Sequence, residues 1–60
     1  MNVFRVYEVR GSRLIYHSSL NVETEELAAA LAADALEGRA GELWHGGRLV
    51  KKIPANLAEN

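Results

Sequence analysis

Hydrophobic and polar residues alternate along the first third of the chain. Residues 3–10 and residues 14–20 are rich in β-branched and aromatic types, and their apolar side chains recur at every second position, as in β-strands. The segment between them, Gly11-Ser12-Arg13, contains residues that favour turns. We therefore expect this part of the chain to form a β-hairpin.

The pattern then changes to a helical period. Residues 24–37 place their leucines and three of their six alanines on one half of a helical wheel, and most of their acidic residues on the other half. Asn21 or Thr24 can cap the N-terminus, and Gly38 stands where a left-handed residue ends a helix. Leu31 is expected at the centre of the helix–sheet interface, so an aspartate there should unfold the domain.

Two short segments, residues 42–45 (ELWH) and 48–53 (RLVKKI), flank Gly46-Gly47 and predict a second hairpin, since two central glycines favour a two-residue turn. The register that follows has four pairs: His45–Arg48, Trp44–Leu49, Leu43–Val50 and Glu42–Lys51. It places Ile53 on the face of Trp44. Trp44 is then expected to anchor the core between helix and sheet, with the centre of a partner interface as the alternative.

The elements follow the order ββαββ. Both hairpins are expected to join in one four-stranded antiparallel sheet with the helix packed on one face, which is an α+β architecture. Residues 1–54 would form this single domain, and residues 55–60 are expected to be a frayed tail. The other face of the sheet is left uncovered, although several strands have apolar residues on both sides. Such a face favours a partner, and a second copy of the chain is the simplest one.

Composition limits the possible functions. The chain has 60 residues and no cysteine, which excludes disulfides and thiolate metal sites. His17 and His45 are the only histidines, and Ser18 next to His17 is expected to point to the opposite side of its strand. A domain of this length also has little volume for a concave pocket. We therefore expect no enzyme activity, no metal and no cofactor.

Neither a membrane span nor a signal peptide is expected. No apolar run approaches the length of a transmembrane helix. The N-terminal residues alternate in polarity, whereas a signal peptide has a basic patch followed by a continuous apolar run. The sequence therefore predicts a cytoplasmic protein without membrane association.

The charges are unevenly distributed, although the net charge is only −1. Five of the eight acidic residues lie within residues 23–37, in or just before the helical segment, and all seven basic residues lie outside it. The possible interaction surface on the sheet consists of Arg5, Tyr7, Trp44, Arg48, Lys51 and Lys52. Protein binding or homodimer formation is the first hypothesis for this surface. Binding of single-stranded nucleic acid by stacking and phosphate contacts is the second, and the pI near 6.1 disfavours it.

The second predicted hairpin resembles a segment of a group of short alpha-proteobacterial proteins. In that group a strand hairpin and an Ala-rich helix precede the motif Glu-Leu/Val-Trp-x-Gly-x-Arg-Leu-Val/Ile, and residues 41–50 here are GELWHGGRLV. Residues 4–7, FRVY, are similar to the group's first strand. The resemblance implies the ββαββ order and no activity, because the group has no assigned function. The chain departs from the group at its first turn, RGSR, where members often have Asp-Gly.

Overall fold

The structure is a computed structural model that describes residues 2–56. The elements are β1 (Val3–Arg10), β2 (Arg13–Asn21), α1 (Glu25–Leu36), β3 (Gly41–His45) and β4 (Arg48–Ile53). The strands form one antiparallel sheet in the spatial order β2-β1-β3-β4, and α1 packs on one of its faces. The predicted α+β architecture is confirmed.

The helix connects an edge strand to a central strand. The chain leaves β2 at one edge of the sheet, passes through α1 and returns as β3 on the far side of β1. Because β1 is antiparallel to both neighbours, β2 and β3 run in the same direction on either side of it. The chain must therefore cross over the sheet between β2 and β3, and α1 makes this crossover. This path places α1 over one face of the sheet and leaves the opposite face open. In the described part of the chain, no helix has the length and apolar character needed to cross a membrane.

Each hairpin turns through two residues with glycine in the first position. The backbone φ angle is 60° at Gly11 and 67° at Gly46, whereas Ser12 and Gly47 have no positive φ. A positive φ at the first central residue alone is the requirement of a type II′ turn, whose twist matches that of the flanking strands. The first turn is therefore one residue shorter than the three-residue loop expected from the sequence.

The helix ends are fixed by local hydrogen bonds. Thr24 is the N-cap, and its Oγ1 accepts a hydrogen bond from the Leu27 backbone N–H at 3.1 Å. At the other end, Glu37 is left-handed with a φ of 55°, and its N–H donates to the Asp34 carbonyl at 3.2 Å. Gly38 also has a positive φ, of 87°. The left-handed conformation thus starts one residue earlier than expected.

Replacement of Thr24 with alanine should destabilise the fold by about 1 kcal/mol, because the Leu27 N–H loses its acceptor. Thr24→Ser retains a hydroxyl and serves as the control. Urea unfolding followed by far-UV circular dichroism would measure both variants. Equal losses for serine and alanine would contradict a capping role for the hydroxyl group.

The core lies between α1 and the two central strands. Its buried apolar residues are Phe4, Val6, Ala28, Ala32, Leu36, Leu43 and Ile53. The three helical members are spaced four residues apart and form one stripe along α1. Two of these three are alanines, which allow the helix backbone to lie close to the sheet.

The helix is rotated relative to the orientation expected from the sequence. Leu27 and Leu31 are 49% and 39% exposed, whereas Ala28 and Ala32 are fully buried. The prediction that Leu31 lies at the centre of the helix–sheet interface is therefore wrong. The helical wheel identifies the apolar half, but within it Ala28, Ala32 and Leu36 occupy the narrow space above the sheet, and Leu27 and Leu31 do not.

Both edge strands contain a β-bulge. In β2, Ser18 pairs with Val6 and Tyr16 with Tyr7, so His17 is the extra residue. In β4, Lys51 pairs with Leu43 and Leu49 with Trp44, so Val50 is the extra residue. An extra residue changes which face the following side chains occupy.

The bulge at Val50 corrects the predicted register of the second hairpin. The pairs His45–Arg48 and Trp44–Leu49 form as expected, but the next two pairs are Leu43–Lys51 and Glu42–Lys52. Ile53 consequently pairs with Gly41 and is buried beneath the helix, on the face opposite Trp44.

The expected tail lies mostly beyond the described part of the chain. Of residues 55–60, the structure describes Ala55 and Asn56. The Asn56 backbone N–H donates a hydrogen bond to the Gly38 carbonyl at 2.8 Å. This bond connects the segment after β4 to the end of α1.

Candidate interaction face

The sheet face opposite α1, which we call the open face, contains outward-pointing side chains from every strand. Phe4, Val6 and Glu8 point toward the helix and are buried, so their neighbours along β1 point away from it. With the pairing register, the apolar and aromatic members of the open face are Val3, Tyr7, Val9, Leu14, Tyr16, Trp44 and Leu49. Its charged members are Arg5, Glu42 and Lys52.

Three aromatic side chains span adjacent strands of the open face. Tyr16 on β2 pairs with Tyr7 on β1, and their rings meet edge to face with centroids 5.9 Å apart. Trp44 on β3 pairs with Arg5 on β1, and its Nε1–H donates to Glu42 Oε1 at 3.0 Å. The polar group of the indole therefore already has an acceptor within the face, which leaves the ring as apolar surface.

Trp44 is not part of the core beneath the helix. It is half-buried on the open face, opposite Leu49 of β4. The expectation that it anchors the helix–sheet core is therefore wrong, because its position along β3 is out of phase with the buried Leu43. Its alternative role, at the centre of a partner interface, stays a prediction.

The structure divides the six residues of the predicted interaction surface between two sides. Arg5, Tyr7, Trp44 and Lys52 lie on the open face. Arg48 lies on the helix side, where its guanidinium forms an ion pair with Glu25 at 2.5 Å. Lys51 also lies on the helix side, in an open groove of about 520 Å³ between α1 and β4.

Two further arginines are engaged at a buried carboxylate on the helix side. Glu8 is only 8% exposed. Its carboxylate oxygens lie 3.2 Å from Arg10 Nε and 3.8 Å from an Arg39 guanidinium nitrogen. The basic residues therefore do not form one continuous positive surface on the sheet.

The two histidines make different contacts on different strands. His45 stacks on Phe4, with ring centroids 4.5 Å apart. His17 Nδ1 lies 2.9 Å from Ser18 Oγ, although alternation along a strand predicts opposite directions for these side chains. The bulge at His17 explains this difference, since an extra residue breaks the alternation. Within residues 2–56, no carboxylate forms a hydrogen bond with His17, and no three potential metal ligands cluster.

Comparisons with protein-family models, with curated proteins and with solved structures found no match to this chain. The resemblance of its second hairpin to the alpha-proteobacterial group therefore stays a prediction.

Proposed function

We propose that this chain is a non-enzymatic protein-interaction module that binds its partner through the open face. The observation that supports this proposal is the number of apolar and aromatic side chains that the four strands present on this face. Three of these strand residues, Val3, Leu14 and Tyr16, are 43%, 47% and 55% exposed. Exposed apolar and aromatic side chains grouped on one sheet face are typical of a site that a partner covers. The cytoplasmic location predicted from the sequence stays part of this proposal.

Nucleic-acid binding remains the second hypothesis, and the positions of the basic residues favour protein binding. Arg5 and Lys52 are the strand cations on the open face, and Glu42 lies between them. The face thus has one excess positive charge, whereas a surface that follows a phosphate backbone needs a positively charged groove. The aromatic residues alone are compatible with both protein binding and nucleic-acid binding.

Site-specific photo-crosslinking in the cells that express the chain would test the proposal. A photoreactive phenylalanine analogue would replace either Tyr16 on the open face or Leu31 on the helix, since both side chains are accessible. We expect crosslinked protein adducts from position 16 and few or none from position 31.

Nuclease treatment of the crosslinked material separates the two hypotheses. Adducts from position 16 that resist nuclease and are removed by protease would support protein binding. The proposal would be overturned by adducts that nuclease removes, by no adduct at position 16, or by equal yields at both positions.

A further inference from the structure

We infer that the partner of the open face is a second copy of this chain, docked about a two-fold axis along the line from Tyr7 to Trp44. This inference rests on the proposed function, because it uses the same surface. It adds the identity of the partner and the contacts by which one copy recognises the other.

Four side chains define the centre of the open face. Arg5 and Tyr7 are on β1, and their partners on β3 are Trp44 and Glu42, respectively. Neighbouring strands are about 4.8 Å apart and alternate residues along a strand about 6.8 Å apart, so these four positions form a small rectangle. The charged residues occupy one diagonal of the rectangle, and the aromatic residues occupy the other.

This arrangement is self-complementary. When two identical faces meet about a two-fold axis that lies between them, residues on the axis meet their own copies and residues beside it exchange places. An axis along the aromatic diagonal brings Tyr7 and Trp44 against the same residues of the second copy. It also places Arg5 near Glu42 of the partner subunit, and the symmetry forms this ion pair twice.

Both members of the expected ion pair are available for it. Within residues 2–56, no acidic group lies within ion-pair distance of Arg5. Glu42 accepts the Trp44 indole through Oε1, which leaves Oε2 for a second donor. Because the surrounding aromatic rings would exclude water, an unmatched partner would leave these charges buried and unpaired, which disfavours such a partner.

The size of the molecule is compatible with a stable pair. The chain measures 37 × 24 × 15 Å, so the sheet face is one of its two broad sides. The two longer dimensions enclose at most about 900 Å², so a standard interface of roughly 800 Å² per partner would occupy nearly this whole side. A domain this short buries only about 60% of its unfolded surface, so covering the open face would add apolar burial that the monomer lacks.

Charge reversal tests the pairing. The variants Arg5→Glu and Glu42→Arg each put like charges at both expected ion pairs of a homodimer, whereas an equimolar mixture of the two restores opposite charges at both. We expect the wild type to sediment as a dimer and each variant alone to dimerise about tenfold or more weakly. The mixture should recover dimers, and native mass spectrometry would identify them as mixed. Arg13→Glu makes the same charge change at the exposed start of β2, where Arg13 pairs with Arg10 and lies outside the open face, and should leave dimerisation unchanged.

The outcomes distinguish this inference from the proposed function. Recovery of dimers in the mixture would show that both single variants are folded. A wild type that remains monomeric at several hundred micromolar would overturn self-association, while nuclease-resistant crosslinks to other proteins would still support the general proposal. The inferred axis would be overturned if neither charge reversal weakened dimerisation, or if the mixture formed no mixed dimer.

Discussion

Replacing Gly41 with alanine is expected to leave the chain largely unfolded. A β-carbon at this position would overlap the side chain of Leu36 and the backbone carbonyl of Tyr7. Leu36 is completely buried at the end of α1, and Tyr7 belongs to the central strand β1. Neither group can move away without disturbing the core or the strand pairing. Overpacking of this severity costs about 3 kcal/mol or more, which is a large part of the stability of a small domain.

Gly47→Ala is the matched control for this substitution. Gly47 is exposed, has no positive φ, and has no atom within 4 Å of the position of an added β-carbon. Its replacement should leave stability unchanged or slightly raised, since alanine restricts the unfolded chain more than glycine does. Thermal and urea unfolding would compare the two variants. Similar midpoints for both would contradict the close approach of α1 to β3.

An aspartate at position 32 is expected to unfold the domain, whereas an aspartate at position 31 should leave it folded. Ala32 is fully buried beneath the helix, so Ala32→Asp adds atoms and an unpaired charge to the core. Burial of such a charge costs several kcal/mol. Leu31 is 39% exposed, so the carboxylate of Leu31→Asp can remain in water. This result is the opposite of the one expected from the helical wheel for Leu31.

The comparison separates helix rotation from helix propensity, because the two positions are adjacent and receive the same residue. Far-UV circular dichroism and the dispersion of amide NMR signals would report the folded state of each variant. A folded Ala32→Asp together with an unfolded Leu31→Asp would show that α1 packs through its leucine stripe.

The order and type of the elements follow from local features of the sequence. Alternation identifies the strands, Gly11 and Gly46 mark the two turns, and Thr24 is one of the two residues able to cap the helix. These features depend on residues that are close together in the chain. The orientation of the helix is different, since it depends on which side chains fit above the central strands. Whether alanine or leucine side chains fit in that space depends on the assembled sheet, which the helical sequence alone does not describe.

The bulges could not be predicted from one strand at a time. A bulge is a property of two paired strands, and neither His17 nor Val50 has a residue type that requires one. Without the bulge at Val50, Lys51 would lie on the open face with Trp44. With the bulge, Lys52 lies there and Lys51 lies on the helix side. By contrast, alternation already places Arg48 on the other side, because it pairs with His45.

The two bulges also affect how far any assembly of this chain can grow. Addition of strands from neighbouring molecules at β2 or β4 would need a regular row of free backbone groups along the edge. An extra residue in each edge strand interrupts that row and increases the local twist, which disfavours open-ended stacking into filaments. The proposed pairing through the open face would be self-limiting, because two molecules that meet there would cover the open faces of both. If the proposed dimer forms, it would therefore be a closed particle of two molecules and not a polymer.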